Sequence, residues 1–360
     1  MKPSVSIVIP TWNGLDLLRR FLPSVIQAAR TYSTQSNTPV EILVVDDGGT
    51  DETIEWLTGS GFAEERASEA GRSPDQISVT DNSDYKEITL RYIRNEVNRG
   101  FGETCNRGFA AARYRLVFLL NNDVEVDWNA IAPLVESLGD EQVFAAHCRV
   151  FNLDSKREVG TGKLGGFARG FIRVHGSYKV NQKNGSDIVA GESPLYSMFA
   201  GGGSAMFDRE KFLELGGFDP LLSPFYWEDV ELSYRAWKRG YTVLYEPRSI
   251  TRHQISSTIS KLGRRRVRTI EQRNRLIFHW MNLHDRAFIT SHAFWILLLT
   301  FTAPLRLQPL FVISVFEALK RLPEILRRRR EERQRARRTD REVFEVFEIF
   351  RRGSDVTIED

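Results

Sequence analysis

The sequence predicts an α/β fold: a mostly parallel sheet flanked by helices, followed by a helical extension at the C-terminal end. Two observations predict this fold. Short apolar runs alternate with helix-like periodic stretches over the first 125 residues, and three of these runs end in polar or acidic side chains. Such alternation is typical of βα units, whose strands pair in parallel. With 360 residues, 41% of them hydrophobic, the chain can bury the core that this sheet needs.

The first elements follow from the spacing of the apolar residues. A strand over Val5–Ile9 leads through the turn PTWNG into a helix whose apolar positions run from Leu15 to Ala29. A second helix begins near Glu52, and the polar residues 59–87 are expected to form a surface insertion. Further strands are expected where β-branched and leucine residues cluster between turns, at Glu41–Val45, Leu90–Ile93 and Leu116–Leu120.

The later elements are less regular. From about Phe144 to Tyr196 the chain is rich in glycine and is expected to form turns or a mobile loop. Asp208 or one of its neighbours is placed to cap a helix that runs to Leu215, before two glycines. A helix from Glu228, ended by Gly240, and a strand at Thr242–Tyr245 complete this part. The expected division is 1–283, with parts 1–125 and 126–283, and a separate C-terminal region 284–360.

Composition narrows the setting of the protein. Cys105 and Cys148 lack metal-ligand spacing, so a disulfide framework is not expected and a reducing, cytoplasmic compartment is favoured. The N-terminus passes directly into a strand, with no pattern typical of a secretory signal. Net charge is only +3, but ten arginines and four acids lie between Arg321 and Arg341. Anionic partners are therefore expected near the C-terminal end.

Two apolar stretches precede this basic segment, at 292–301 and 309–319. Pro304, Arg306 and Pro309 interrupt them, and neither reaches the roughly 20 residues that span a bilayer. They are expected either to form a buried helical hairpin or to lie in the membrane interface beside the arginines. The final stretch, REVFEVFEIFRR, is expected to be an amphipathic helix for partner or membrane contact.

Polar residues at the ends of three strands form the first candidate site. Open α/β sheets bind ligands at the carboxyl ends of their strands, although Asn, Asp and Gly are also ordinary turn residues. The occurrence of all three on consecutive units favours a binding site. The residues concerned are Thr11, Trp12 and Asn13, then Asp46 and Asp47, then Asn121, Asn122 and Asp123.

Adjacent carboxylates form the second candidate. Glu228 and Asp229 follow three aromatic residues, and an apolar setting would raise a carboxylate pKa and suit a general base. Acids at a helix start also stabilise the helix dipole, so this motif alone is weak.

The blocks SIVIPTWNG, ILVVDDGGTDET, NRGFGETCNRGFAAA, LLNNDV, GGGSAMFDREKFLELGGFDP and FYWEDVELSYRAWKRGY, with Arg252 and His253, occur in this order over residues 4–283. As a set they resemble the family 2 glycosyltransferases, inverting enzymes of the GT-A fold, and most of all a bacterial rhamnosyltransferase-like branch. The resemblance implies transfer of a sugar from a nucleotide-diphosphate sugar to a hydroxyl of a glycan or lipid-linked acceptor.

The resemblance also implies roles for individual residues. Asp229 would be the catalytic base, with Glu228 placing the acceptor. Asp123 would bind a divalent cation, Mn²⁺ or Mg²⁺, with His253 as a possible second ligand or a structural histidine. NND offers one acid where many relatives have two, so the donor diphosphate would complete the metal site. The donor would contact Pro10, Thr11, Trp12, Asn13, Asp46, Asp47, Gly100, Asn106, Asn121 and Asn122, and the acceptor Gly201, Gly202, Gly203 and Trp227.

The expected partners are therefore the nucleotide-sugar donor, the acceptor, and an anionic membrane surface reached through the C-terminal region, on its cytoplasmic face. No nucleic acid is expected. Two alternatives stay open at this point. A sugar-phosphate nucleotidyltransferase would carry a glycine-rich, arginine-containing loop after the first strand, which PTWNGLDLL lacks. A non-enzymatic scaffold that binds anionic surfaces or nucleic acid would depend on the arginines alone.

Overall fold

The computed structural model describes residues 2–65, 88–178, 181–183, 186–188, 195–254, 263–303, 305, 308–353 and 358–359. Most of the expected insertion at 59–87 lies outside these ranges. The strands are β1 Val5–Thr11, β2 Val40–Asp46, β3 Ala63–Glu64, β4 Ile88–Arg94, β5 Leu116–Leu120, β6 Val124–Val126, β7 Val143–Asn152, β8 Glu158–Gly160, β9 Leu164–Ala168, β10 Phe171–His175, β11 Ser177–Tyr178, β12 Asn181–Lys183, β13 Ser186–Ile188, β14 Leu195–Tyr196, β15 Ser204–Asp208, β16 Thr242–His253 and β17 Ile358–Glu359.

Helices follow most of the early strands and make up much of the C-terminal half. They are α1 Leu15–Ser36, α2 Thr53–Gly59, α3 Phe101–Ala111, α4 Ile131–Ser137, α5 Arg209–Glu214, α6 Glu228–Lys238, α7 Arg264–Asn282, α8 Arg286–Thr302, α9 Pro309–Leu319, α10 Leu322–Arg335 and α11 Asp340–Gly353, with a short 3-10 turn at Pro220–Leu222.

The chain folds as two compact units, each built from separate stretches of sequence. The first contains residues 1–161, 201–218 and 246–255, and the second contains 162–200, 219–245 and 256–360. These limits differ from the expected divisions after residues 125 and 283. The reason is that α10 packs on α7 and α11 packs on α6 and β9, so the C-terminal helices belong to the same unit as the stretch that carries Glu228.

The first unit is built on a twisted sheet whose parallel part has the order β5-β1-β2-β4-β3. All residues of β1, β2 and β5 are buried, as expected of parallel strands covered on both faces. Helices α1 and α3 pack against these strands. Strand β15 pairs antiparallel with β5, and β7 and β16 follow it. The α/β prediction for this part is confirmed.

The prediction of irregular chain from Phe144 onward is wrong for its first part. Strand β7 is ten residues long, and its first eight residues are buried. Small residues such as Ala145 and Ala146 fit between the layers there. The glycine-rich stretch that follows is also ordered. Strands β9 and β10 form an antiparallel hairpin, and its turn places Arg169 at φ 50° and Gly170 at φ 77°, the left-handed geometry that suits tight hairpins.

The second unit surrounds α6 with helices. The carboxylate of Asp340, at the start of α11, is fully buried and accepts hydrogen bonds from Tyr234 Oη at 2.7 Å and Lys238 Nζ at 2.6 Å. It also accepts from the backbone nitrogens of His284 and Asp285, at 2.6 and 2.7 Å. One side chain therefore joins α6, α11 and the turn between α7 and α8.

The amphipathic character of the last helix is confirmed, but its apolar face is turned to the chain itself. Val343, Phe344 and Phe347 of α11 are buried, and the Phe347 ring lies 5.0 Å from that of Trp237 on α6. This corrects the expectation of an apolar face free for a partner or a membrane. Among the helices of the described ranges, none combines the length and apolarity needed to cross a bilayer.

Candidate active site

The carboxyl end of β1 carries the first predicted donor-binding residues. Pro10 and Thr11 are buried in the last two positions of the strand, and the Trp12 side chain is 47% exposed just beyond it. Asn13 has φ 49° and accepts a hydrogen bond from the Thr50 backbone nitrogen at 2.6 Å. The strand end thus presents a large aromatic surface on a well-fixed turn.

Asp46, at the end of β2, is a buried carboxylate in a tight loop. The Gly49 nitrogen donates to its two oxygens at 3.3 and 3.2 Å, and Arg94 Nε lies 3.3 Å from Oδ2. A Cβ at Gly49 would come within 2.7 Å of Oδ1, so the approach needs glycine. Burial is the largest influence on the pKa of Asp46 and raises it above the usual value, with Asp51 and Asp47 adding to the rise.

Asp47 organises the loop that leads into α3. Its Oδ1 accepts from Asn95 Nδ2 at 2.7 Å and from the Arg99 nitrogen at 2.9 Å, and its Oδ2 accepts from the Gly100 nitrogen at 2.9 Å. Gly100 has φ 87°, which glycine adopts without strain. Both oxygens of Asp47 therefore hold protein backbone or side chains, and its predicted contact with the donor stays a prediction.

Asn106 holds the backbone of Phe218. Its Nδ2 donates to the Phe218 carbonyl at 2.8 Å, and its Oδ1 accepts from the Phe218 nitrogen at 2.8 Å. The side-chain amide is thus bonded to the backbone after Gly217, and its predicted contact with the nucleotide sugar stays a prediction. The sequence placed Asn106 on α3 correctly but did not show which way its side chain points.

The end of β5 meets the end of β1. Asn122 Nδ2 donates to Thr11 Oγ1 at 2.8 Å, and the Asn121 nitrogen donates to the Gly203 carbonyl at 3.0 Å. A Cβ on Gly14 would lie 2.3 Å from Asn122 Nδ2. The side chain of Asn122 and the backbone of Asn121 thus connect the end of β5 to β1 and to the segment before β15.

Asp123 and His253 are brought together by strand pairing. Strand β6 pairs antiparallel with the end of β16, which puts His253 opposite Val124, and the Gln254 nitrogen donates to the Asp123 carbonyl at 3.0 Å. His253 Nε2 consequently lies 2.9 Å from Asp123 Oδ1. Within the described ranges, no group of three or more His, Cys, Asp or Glu side chains is arranged to hold a metal ion. A cation here would take two ligands from the chain and the rest from a bound substrate or water.

The three glycines lie between β14 and β15. The Gly201 nitrogen donates to His147 Nδ1 at 3.2 Å, and burial lowers the pKa of His147 to about 4. A Cβ on Gly203 would lie 2.5 Å from Asn121 Nδ2, and Gly202 between them is buried. The close approach of these backbones to His147 and Asn121 requires the absence of side chains.

In the second unit, Trp227 immediately precedes α6. Its backbone has φ 76°, and its ring stacks on Phe278 with 5.3 Å between the centroids. Arg275 lies 5.7 Å from the Trp227 ring centre. A left-handed backbone conformation is uncommon and strained for tryptophan. Here the contacts of the ring with Phe278 and Arg275 of α7 stabilise it.

Glu228 and Asp229 begin α6, as predicted. Asp229 Oδ1 accepts from the Val230 nitrogen at 2.7 Å. Burial raises the pKa of Glu228 to about 8, and the adjacent Asp229 carboxylate adds to the rise. Among the described residues, Glu228 Oε2 is buried and has no hydrogen-bond partner. Two neighbouring carboxyl groups therefore have different environments, with Glu228 favoured in its neutral form.

Asn274 on α7 was not predicted from the sequence, yet it fixes the turn before this pair. Its Nδ2 donates to the carbonyls of Leu222, Phe225 and Tyr226, the last two at 2.9 and 3.0 Å. Its Oδ1 accepts from Arg273, which also donates to the Ser223 carbonyl at 2.6 Å. No sequence signal links Asn274 to a turn about fifty positions earlier.

Strands β1, β2 and β5 end side by side, and Asp123 follows β5. This arrangement is typical of proteins that bind nucleotide sugars, and the similarities of the chain to known proteins agree with it. The chain matches the family described as "Glycosyl transferase family group 2" over residues 116–322, more than half its length, and "Glycosyl transferase family 2" over residues 6–60. The chain belongs to glycosyl transferase family group 2, so the resemblance that its motifs suggested is confirmed.

Among curated relatives, N-acetylgalactosaminyltransferase 7 of Drosophila melanogaster is 25% identical over 263 residues, which cover 70% of this chain and 39% of that protein. The poly-beta-1,6-N-acetyl-D-glucosamine synthase of Staphylococcus aureus (strain MSSA476) is 22% identical over 264 residues, covering 73% of this chain and 53% of the synthase. The chain thus spans about half, or less, of the length of these relatives.

Solved structures support the fold. The mannosyltransferase PcManGT of Pyrobaculum calidifontis, in complex with GDP-Man and Mn²⁺, has a TM-score of 0.52 and 15% identity, over 89% of this chain and 76% of that one. TarS 1-349 of S. aureus, in complex with UDP-GlcNAc, also has a TM-score of 0.52, with 12% identity over 97% and 91%. The predicted GT-A fold is confirmed by these similarities.

Proposed function

We propose that the protein is an inverting glycosyltransferase that moves a sugar from a nucleotide-diphosphate sugar to a hydroxyl of a glycan or lipid-linked acceptor. Family membership supports the reaction class. The observation that carries the proposal is the pairing of Asp123 with His253, 2.9 Å apart at the end of β5. A carboxylate and an imidazole can together ligate a divalent cation, and such a cation would bind the diphosphate end of a donor.

A divalent cation, Mn²⁺ or Mg²⁺, fits these residues when part of its coordination comes from the donor. Asp123 supplies the hard oxygen ligand and His253 the imidazole nitrogen, and diphosphate oxygens would complete the set. When bound, the cation would neutralise the charge of the departing diphosphate. The solved mannosyltransferase contains Mn²⁺ with its GDP-sugar, in agreement with this assignment.

For donor binding, the exposed Trp12 ring offers a stacking surface for the nucleobase. Asp46 and Asn13 lie on neighbouring loops and would contact the nucleoside, whereas Asp47 would act through the loop that it holds at Gly100. The names of the relatives favour UDP-N-acetylhexosamines as the first donors to test. The rhamnosyltransferase-like branch stays a prediction.

For the transfer step, Asp229 would take the proton from the acceptor hydroxyl as that oxygen bonds to the anomeric carbon. The bond from the anomeric carbon to the diphosphate breaks on the opposite face, so the configuration inverts and the nucleoside diphosphate leaves. The raised pKa of Glu228, about 8, keeps this neighbour largely neutral at pH 7, so Glu228 is poorly suited to take the proton itself. Glu228, Trp227 and Gly201 to Gly203 are proposed to contact the acceptor.

The proposed setting is the cytoplasmic face of a membrane, where lipid-linked acceptors are available and anionic lipids attract basic segments. The arginines at the start of α7 and those of the C-terminal region are the candidate cationic side chains for this contact.

A thermal-shift panel tests the donor assignment. UDP-, dTDP- and GDP-sugars are added with and without Mn²⁺, and the true donor should raise the melting temperature more with the ion, because ligand binding to the folded state stabilises it by mass action. Asp123→Ala should remove the Mn²⁺-dependent part of the shift. Asp154→Ala, an exposed aspartate in the turn after β7, is the matched control and should keep it.

An unchanged Mn²⁺-dependent shift in Asp123→Ala would refute the metal assignment. Release of pyrophosphate from a nucleoside triphosphate and a sugar 1-phosphate would instead identify a nucleotidyltransferase.

A further inference from the structure

Helix α8 carries large apolar side chains on its outer surface. Phe294, Leu297 and Phe301 are 60%, 59% and 80% exposed. Their spacing of three and four residues places them on one face of the helix. The other face is anchored, because Trp295, Ile296 and Leu299 pack against the apolar core that includes Ile277 and Met281 of α7. The exposed face is therefore held rigidly on a folded unit.

Helix α9 extends this apolar surface. Ile313, Phe316 and Leu319 are 46%, 61% and 42% exposed, whereas Val315 and Ala318 are buried in the same core. Helices α8 and α9 contact each other. We call the six exposed residues of α8 and α9 the apolar face. Monomeric soluble proteins seldom expose so many large apolar side chains on two adjacent helices.

Positive charge lies at one end of this face. Ser314 Oγ on α9 lies 3.2 Å from the Thr269 carbonyl and 3.3 Å from Gln272 Oε1 on α7, and Glu317 interacts electrostatically with Arg273. The two helices therefore run side by side in the same direction. The first turns of α7, which carry the exposed arginines Arg264, Arg265, Arg266 and Arg268, lie beside the beginning of α9.

Two arginines of α10 are held by other parts of the same unit. Arg328 Nε lies 3.1 Å from Asp219 Oδ2, and Arg329 Nη1 donates to the Trp280 carbonyl at 2.8 Å. Glu332 of the same helix lies 2.8 Å from Arg239 Nη2. These contacts fasten α10 to the unit, so the basic segment 321–341 is in part a structural element.

We propose that the apolar face inserts into the headgroup region of an anionic lipid bilayer, with the arginines of α7 on lipid phosphates. This inference rests on the proposed membrane setting and names the surface that makes the contact. Apolar helix faces that lie in the interface gain affinity from buried area and from attraction to anionic lipids together. Arginine matches phosphate through paired hydrogen bonds. The face would hold the enzyme beside lipid-linked acceptors.

Vesicle co-sedimentation of the full chain tests the proposal. Binding to phosphatidylcholine vesicles that contain phosphatidylglycerol should exceed binding to pure phosphatidylcholine and should weaken in high salt. The double substitution Phe301→Ser with Phe316→Ser should lower the partition coefficient at least about tenfold, given the free energy of burying two aromatic side chains. Ile349→Ser, a residue 71% exposed on α11, is the apolar control and should leave binding unchanged.

Two double substitutions of arginine test the contribution of charge. Arg265→Gln with Arg266→Gln should weaken binding only to the anionic vesicles, whereas Arg351→Gln with Arg352→Gln, exposed at the end of α11, should not. Equal vesicle binding by wild type and the phenylalanine variant would overturn the proposal. So would a wild-type dimer in lipid-free sedimentation that the same variant converts to a monomer, because the face would then cover a second copy.

The thermal shift with donor and Mn²⁺ is measured on the same variants. It should be unchanged by all four, so a failure of membrane binding and a failure of the glycosyltransferase assignment give different results.

Discussion

Replacing Asn274 by alanine should loosen the turn that leads into Glu228 and Asp229. Asn274 is fully buried, and its Nδ2 serves the carbonyls of Leu222, Phe225 and Tyr226. The amide has two hydrogens, so at least two of these carbonyls lose a donor. Each such loss costs about 1–3 kcal/mol, which gives about 2–6 kcal/mol of unfolding free energy.

A loss of catalytic rate should accompany this loss of stability. Asp229, the proposed base, lies only three residues after Tyr226, so movement of the turn displaces it, and a displacement of this kind can lower kcat by tenfold or more. The measurements are urea unfolding and initial rates at a temperature where the variant is folded. Donor affinity should stay near that of the wild type, since the proposed donor-binding residues lie in the first unit.

Asn282→Ala is the matched control for Asn274. It lies on the same helix, is 1% exposed, and donates from Nδ2 to Glu231 Oε1 and the Phe278 carbonyl, both at 3.1 Å. It should lower stability but leave kcat of the folded protein close to normal. A folded Asn274→Ala variant with wild-type kcat, or an equal loss of kcat in Asn282→Ala, would refute the positioning argument.

Three further substitutions probe α6 and its surroundings. Asp229→Asn should abolish transfer while the donor-induced thermal shift persists, because the substitution removes the proposed base and leaves the proposed donor site intact. Burial raises the pKa of Glu228 from 4.5 to about 8, so the folded protein keeps a proton that the unfolded chain releases. The stability of the wild type should therefore fall relative to Glu228→Gln as pH rises from about 5 to 8, as measured by urea midpoints. Asp340→Ala should cost about 3–5 kcal/mol in unfolding experiments, because it leaves the buried Lys238 ammonium without its carboxylate.

Each of these has a distinct contrary result. Residual turnover in Asp229→Asn would remove it as the base. Parallel pH curves for wild type and Glu228→Gln would mean that Glu228 is ionised in the folded state. Glu348→Ala, which breaks the exposed pair with Arg352, should change stability little, and an effect as large as that of Asp340→Ala would show that burial is not the cause.

The sequence was most informative where structure is decided locally. The strands at Val5, Val40 and Leu116 were predicted because β-branched and leucine runs bounded by turn residues have few alternatives. The cap at Asp208 was predicted for the same reason, and its side chain accepts from the Lys211 nitrogen at 3.1 Å. These features depend on neighbours within a few residues.

What the sequence did not show depends on distant contacts. Strand β7 was read as irregular because its alanines and the glycines after it are weak strand formers, and burial overrode that preference. Asn274 binds backbone carbonyls, which every residue possesses, so nothing in the acceptor segment identifies its partner. In the sequence, Asp340 is simply one of four acids in a basic segment. In the fold it is buried and its carboxylate joins α11 to α6 through Tyr234 and Lys238.

The junction at Asp340 has a practical consequence for any shortened form of the protein. A fragment that stops before α11 would keep every residue of the proposed site. It would lose the contact of Phe347 with Trp237 and leave the buried Lys238 ammonium without the Asp340 carboxylate. Such a fragment should be insoluble or sensitive to protease, whatever its affinity for lipid. A localisation experiment that deletes α11 would then report on folding and not on membrane binding. Point substitutions on the exposed faces of α8 and α9 avoid this problem.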